Sequence, residues 1–381
     1  MSRVDRAAAP GMLLSLILIA VLSACRASTQ PAVARVLVAA PLTGARAALG
    51  RDVVDAVRLA VEGWQAEAPV AAVPRLELVT LDEGATEPLR ALLRDPHLLL
   101  TVGFTGEAAA AAARHLLDGP DAPAGVTLAN PGPGRRPPGL VELAPTAHQV
   151  QEVAAAALAY NFGPLPVTVI ASADPEAVAA AQAFAALAPG RDLPVRTLIT
   201  LSGVETDFVR LAQTVRAPTP QLVYVVGEGV DAGSLWAELR LRDARARLVL
   251  APGVLDEGFY RTAGGFFDGV SALELTPQPA ESERARDFAA RFSARYGRTP
   301  TALAGRAYDA ALLGLSAVRA ATTGAMPTRP TVRAALAAIT HYQGVMRTYE
   351  LVNGAPARWP LAMYRLARDG TPALIGEPEI P

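Results

Sequence analysis

The apolar positions of the chain alternate between two rhythms. Residues 36–40, Val-Leu-Val-Ala-Ala, form an unbroken apolar run of strand length, which suits a strand covered on both faces. Pro41-Leu42-Thr43-Gly44 breaks that run into a loop, and Gly50 closes the loop. From Asp52 the period changes: Val53, Val57, Ala60 and Trp64 recur at helical spacing. The alternation continues with strands predicted over 76–81, 98–104 and 126–129 and helices over 87–94 and 107–117. Residues 130–138, Asn-Pro-Gly-Pro-Gly-Arg-Arg-Pro-Pro, are too rich in Pro and Gly for regular structure. Such a βαβα order implies a parallel sheet with helices on both faces.

A second set follows. A helix over 146–160 places Val150, Val153, Ala157 and Tyr160 on one face. Strands are predicted over 167–171, 195–201, 222–226 and 248–251, with helices over 176–187, 207–215 and 234–242. Residues 268–275 carry the chain back to the first unit. Helices over 281–296, 303–321 and 331–339 come next, then strand-like pieces at 347–351 and 361–366.

The beginning of the chain obeys neither rhythm. Arg3 and Arg6 precede an apolar segment over 12–22, which ends in Leu22-Ser23-Ala24-Cys25. That segment is short for a bilayer span, with a basic flank before it and small residues after it, so residues 1–25 read as an export signal. Its ending looks like a bacterial lipobox. Cys25 is the only cysteine, so it makes no internal disulfide and its thiol is free for lipidation. Two or more acyl chains there would hold the protein stably to a membrane, with residues 26–34 as a tether. The folded part is then expected outside the cytoplasm, in a periplasm or on a cell surface. An ordinary signal peptide with an incidental cysteine is the alternative.

Composition narrows the chemistry. The 381 residues are 51% hydrophobic with a net charge of −1, enough for two ordinary domains and without the basic excess of a nucleic-acid binder. Lysine is absent, which rules out Schiff-base and lysine-base catalysis. His97, His115, His148 and His341 are scattered, with no pair at metal-ligand spacing. No Gly-x-Ser-x-Gly elbow, phosphate-binding glycine loop or Cys-His pairing occurs. A non-enzyme with neither cofactor nor metal is expected.

Residues 35–64 carry an apolar strand, a Pro-Leu-Thr-Gly turn, a spacer, a Gly and an amphipathic helix. Later come Phe288 to Tyr296 with Gly297-Arg298-Thr299-Pro300, then Ala307-Tyr308-Asp309-Ala310, and an ending built from 333–339, Gln343-Gly344 and 349–354. In that order these stretches resemble the type I periplasmic binding proteins, in particular the leucine-binding-protein-like lipoproteins that feed branched-chain amino acids to ABC importers. The resemblance implies an α/β fold of two Rossmann-like doubly wound lobes joined by a three-strand hinge. Lobe 1 would comprise 35–145 plus 276–345 and lobe 2 146–275 plus 346–381, with crossings near Pro145, Leu275 and Val345. It further implies a monomer whose lobes close on a small polar solute, amino acid or amide-like, for delivery to a permease.

The expected amino acid contacts are changed, however. In the family the helix after the third strand offers hydroxyls and N–H groups to an α-carboxylate. Here that stretch is Gly103-Phe104-Thr105-Gly106-Glu107, with Glu107 about where a serine is expected. The loop at Asn130 lacks a threonine, Gly227-Glu228-Gly229 lacks an aromatic, and Ala251-Pro252-Gly253 lacks the acid that would pair with an α-ammonium. Thr43, Thr105, Asn130 and Glu228 remain as candidate contacts, with Glu107 and Asp256 as partners for a cationic or amide-bearing solute. Glu107 can equally serve as a first-turn acid complementing the helix dipole, and Glu228 as a solvated loop acid. A rival reading keeps the fold and drops transport: a partner-binding regulatory lipoprotein, such as an activator of a cell-wall synthase.

Overall fold

The computed structural model describes residues 33–44, 46–67, 74–202, 207–215, 221–242, 245–277, 282–322 and 326–378. The export signal, Cys25 and most of the tether lie outside the described residues. In chain order the first part runs β1 (Val33–Ala40), α1 (Ala47–Glu67), β2 (Arg75–Asp82), α2 (Thr86–Leu92), β3 (Leu98–Gly103), α3 (Glu107–Leu116), β4 (Ala124–Thr127) and β5 (Leu140–Glu142). The second runs α4 (Ala147–Phe162), β6 (Val167–Ala171), α5 (Pro175–Leu187), β7 (Val195–Thr200), α6 (Phe208–Val215), β8 (Gln221–Val226), α7 (Gly229–Leu241), β9 (Ala246–Leu250), α8 (Glu257–Thr262) and β10 (Val270–Glu274). Three helices follow, α9 (Glu283–Tyr296), α10 (Ala302–Ala321) and α11 (Arg329–Ala337), and then β11 (His341–Gln343), β12 (Thr348–Val352), β13 (Ala355–Pro356), β14 (Ala362–Leu366) and β15 (Pro372–Gly376).

The strands form two doubly wound sheets. The first has the order β2-β1-β3-β4-β5, parallel throughout. In the second, β15-β14-β10-β9-β8-β6-β7, five strands are parallel and β14 and β15 add antiparallel at one edge. Every residue of β3, β4, β6 and β8 is buried, as the unbroken apolar runs require of strands covered on both faces. Helix α1 buries Val53, Val57, Ala60 and Trp64 as expected, and also Val54, Ala56 and Val61. Its apolar face is wide because it packs on both the sheet and α10. In each sheet the strand order reverses beside the first strand of the unit, β1 or β6, and ligands sit outside the carboxyl ends of strands at such points.

Three expectations need correction. The tether is shorter than 26–34, since β1 begins at Val33 and Ala34 pairs with Leu76, which buries it. Tyr160 is 90% exposed. In the last turn of α4 Ala159 and Phe162 still pack partly against the core, while Tyr160 lies on the other side of the helix. Residues 346–356 pack on the first lobe rather than the second: β11, β12 and β13 form a small antiparallel sheet, and the Glu142 N–H donates to Gly354 O at 2.9 Å. The chain passes to β14 only after β13, because the buried Asp309 of α10 holds the Val345 and Met346 N–H groups and the Tyr349 hydroxyl against the first lobe.

Candidate functional site

The loops at the carboxyl ends of the strands face one another between the lobes. Two glycines make the sharp exits possible. Gly103 has φ +121°, and a Cβ there would collide with the carbonyl oxygen of Ala39. Gly227 has φ +122°, and a Cβ would run into the Ser172 side chain. Phe104, buried at φ +57°, completes the turn that delivers Thr105, Gly106 and Glu107 to the start of α3.

In the first lobe the expected threonines are tied to carboxylates. Asp82 accepts the Leu42 N–H, the Thr43 hydroxyl and the Gly84 N–H, each at 3.0 Å, and these bonds hold its carboxyl below the usual range. Glu83 accepts the Thr105 N–H at 2.5 Å and its hydroxyl at 2.9 Å, yet burial pushes its carboxyl up. Arg46 donates to the same hydroxyl at 3.2 Å.

Glu107 reaches across the gap. From the first turn of α3 it lines one pocket together with Ala147, the first residue of α4 in the second lobe. Burial, and then the charge of Glu176 in the first turn of α5, push its carboxyl up. Glu176 approaches Gly106 as well: a Cβ on that glycine would lie 3.4 Å from the Arg46 guanidinium, 3.6 Å from Glu176 Oε1 and 3.7 Å from Glu83 Oε1. Two carboxylates, Glu83 from the first lobe and Glu176 from the second, therefore approach one buried glycine, with the Arg46 guanidinium nearest of all and Glu107 next along the chain.

Asn130 is turned inward. Its Nδ2 donates to Ala144 O at 3.2 Å and its Oδ1 accepts from Gly132 N at 3.1 Å, which braces the Pro-Gly loop. Arg114 stiffens that loop further by donating to Gly132 O at 3.0 Å. Beside it a pocket of 590 Å³ opens between Glu107, the 131–134 loop, Arg136 and His148.

On the second lobe Ser172 organises the loops. Its Oγ donates to Asp231 at 2.8 Å and accepts the Glu228 N–H at 2.8 Å, leaving the Glu228 carboxylate exposed. Asp256 caps α8 by accepting the Phe259 N–H at 2.8 Å, and its Oδ1 lies against Gly229. Thr43, Thr105 and Glu107 thus stand on loops at the strand ends of the first sheet and Glu228 and Asp256 on loops at those of the second, while Asn130 braces its own loop. Sequence reasoning missed Arg46, Glu83 and Glu176. Glu83 and Glu176 each had a legible position, a strand end at Asp82-Glu83-Gly84 and a helix start at Asp174-Pro175-Glu176; Arg46 had no signal of its own.

The architecture is shared with solved proteins. The leucine binding protein LivK from Thermotoga maritima is 18% identical, with a TM-score of 0.74 over 91% of this chain and 98% of that one. A solute binding protein from R. palustris, solved in complex with benzoate, is 17% identical with a TM-score of 0.72 over 91% and 97%. The branched-chain amino acid transporter substrate binding protein LivJ from Streptococcus pneumoniae, in complex with isoleucine, is 15% identical with a TM-score of 0.71 over 91% and 99%. These likenesses give the fold, that of the type I periplasmic binding proteins. No curated protein matches the sequence. A profile of the periplasmic binding proteins, however, matches residues 34–371, nearly the whole described chain. The protein belongs to the periplasmic binding protein family, whose members bind solutes and are not enzymes.

Proposed function

We propose that the protein is the extracytoplasmic, Cys25-anchored solute-binding component of an ABC importer, and that its lobes close on a small polar solute bearing an amine or amide. The observation that carries this is the approach of Glu83 and Glu176 to Gly106 from opposite lobes, with Glu107, next in the chain, within the charge of Glu176. Carboxylates brought together from two lobes repel one another, so closure without a solute is opposed. A cationic or N–H-rich group between them removes the repulsion. It would touch both lobes only when they are shut, and that differential affinity is what shifts the population to the closed form. A permease reading the closed form would then receive loaded protein in preference to empty protein.

The test is a thermal-shift screen with amines, amino acids, amides, ureas and polyamines, followed by titration calorimetry on Glu176→Gln. A binding solute raises Tm as its concentration passes its Kd. The variant should lose about 10-fold or more in affinity for it, the scale of one charge-assisted hydrogen bond. No shift with any solute, or unchanged affinity in the variant, would defeat the reading. A second reading, a partner-binding regulatory lipoprotein, is favoured by one observation: Thr43, Thr105 and Asn130 spend their polar atoms inside the protein.

A further inference from the structure

A second pocket opens on the helical side of the first lobe and shares no lining residue with the one beside Glu107. It holds 540 Å³ between the end of α1, α9, α10 and β11, with Trp64, Arg291, Tyr308, Leu312, Arg319 and Tyr342 in its wall. Tyr308 and Arg319 stand three turns apart on α10, about 16 Å at the rise of a helix, so the pocket is elongated. Gly63 of α1 also lines it, and a Cβ there would meet nothing within 4 Å. Glycine inside a helix costs about 1 kcal/mol relative to alanine. No close contact within the protein requires one at this position.

The wall is aromatic and positively charged. Arg319 lies over Trp64 with its guanidinium carbon 5.6 Å from the ring centroid, and it makes no ion pair among the described residues. Arg291 lies 5.6 Å from the centroid of Tyr308 and donates to the hydroxyl of that ring at 3.1 Å, also without a carboxylate partner among the described residues. Stacking occupies the face of a guanidinium and leaves the in-plane N–H fork for an anion. Trp64 is 5% exposed, yet its indole N–H has no hydrogen-bond partner. Glu67 lines the pocket too, and among the described residues it pairs with neither arginine. Two cations against one acid leave the pocket electropositive.

The end of α1 lies where the chain enters the first sheet. Gln65 donates to Leu76 O at 2.9 Å, and Leu76 pairs with Ala34 at the start of β1. Cys25 precedes Val33 by eight residues, a reach of at most about 29 Å. An anchor at Cys25 therefore keeps Trp64 and Arg319 close to the membrane surface, where amphipathic rings and basic side chains meet anionic head groups. We infer that this pocket receives an anionic phospholipid, its phosphate in the fork of Arg319 and its hydrocarbon against Trp64, Leu312 and Tyr342. Such a contact orients the first lobe on the membrane, which a lipid anchor alone does not do. It lies apart from the cleft and shares with the reading above only the anchor at Cys25.

The probes are soluble short-chain lipids that differ in the head group, dihexanoylphosphatidylglycerol and dihexanoylphosphatidylcholine, with free decanoate as a third. Calorimetry on the full chain gives the affinities, and the Tm is taken without lipid. The wild type should bind the phosphatidylglycerol about 10-fold or more tighter than the phosphatidylcholine, the worth of one charge-assisted hydrogen bond, and tighter than decanoate. Gly63→Leu fills the pocket and should lose about 10-fold or more in that affinity with Tm equal or higher, because leucine is the better helix former. Arg319→Gln should level the two lipids with Tm within about 3 °C of the wild type. Equal binding of the two lipids by the wild type, binding of neither, or full affinity in Gly63→Leu overturns the inference. Decanoate binding tighter than the phosphatidylglycerol overturns the lipid as occupant in favour of a free acid. Should Gly63→Leu melt lower, Arg319→Gln decides alone: a kept preference overturns the inference and a levelled one upholds it. Solute affinity in the cleft should be the same in both variants, so a failure here leaves the solute-binding reading standing.

Discussion

The indole N–H of Trp359 donates a 2.7 Å hydrogen bond to the carbonyl oxygen of Leu275. Leu275 follows β10 and Trp359 precedes β14, so the bond ties the segment that leaves the second sheet to the one that re-enters it. Arg347 lies over the indole with its guanidinium carbon 5.0 Å from the ring centroid and donates to Pro360 O at 3.1 Å. Trp359→Phe keeps most of the packing and loses the bond, so it should cost about 1 kcal/mol. Trp359→Ala should cost about 3 to 5 kcal/mol through the cavity it leaves. Urea unfolding curves give both values, and a phenylalanine variant as damaged as the alanine one would show that the bond matters more than the packing.

Glu142 should be the most sensitive single acid in the first lobe. It is fully buried, and it takes Arg114 Nε at 2.7 Å, Arg114 Nη2 at 2.8 Å, Arg136 Nε at 2.8 Å and Arg136 Nη2 at 2.6 Å. Removing its charge leaves two largely buried guanidinium groups without compensation, which costs about 3 to 5 kcal/mol. Glu142→Gln is therefore expected to lower Tm by about 4 to 7 °C, whereas Glu87→Gln, which breaks a pair on the exposed face of α2, should change stability by less than about 0.5 kcal/mol. Comparable losses in the two variants would contradict this account.

The repeating strands and helices were legible because burial on both faces writes itself as continuous apolar runs, as in 98–104 and 222–226. Short elements were not. β5 has three residues and α8 six, below the length at which either period can be recognised. The first lobe's hold on 346–356 was hidden because it depends on the carboxylate of Asp309, 36 residues from Val345. The cleft was half legible for a similar reason. Residues at strand ends could be named from sequence, but Glu176 meets Gly106 only through the approach of the two lobes. Arg306, near the start of the apolar helix α10, gave no sign of its unused donors.

Glu274 sets a pH dependence with a definite sign. Burial raises its carboxyl to about 8 from an ordinary 4.5, with Arg306 opposing and Asp256 reinforcing the shift. Between these values the folded protein keeps a proton that the unfolded chain has released, so unfolding releases protons and stability falls as pH rises. The contribution is fully present below about pH 4.5 and is lost through pH 8, on the order of a few kcal/mol in all. Glu274→Gln cannot ionise, so its curve of unfolding free energy against pH should be flatter between pH 5 and 8 than that of the wild type. Parallel curves would place the titration elsewhere.

Gly103 and Gly106 stand three residues apart and should respond in opposite ways to the same added methyl group. At Gly103 the φ of +121° is strained for alanine, and the Cβ would drive into the Ala39 carbonyl of the neighbouring strand. Gly103→Ala must push β3 from β1 or change the turn at Phe104, at a cost of about 2 to 4 kcal/mol. Gly106 has φ −99° and ψ 154°, which any residue adopts, and its nearest neighbours to a Cβ are the flexible ends of Arg46, Glu176 and Glu83. Gly106→Ala should therefore fold with a stability within about 0.5 kcal/mol of the wild type. The methyl group would instead occupy the point where the carboxylates of the two lobes meet, so a solute found in the thermal-shift screen should bind the variant more weakly. Calorimetry and urea unfolding on the same preparation separate the two effects. A Gly106→Ala protein that binds normally would show that closure does not pass through this contact.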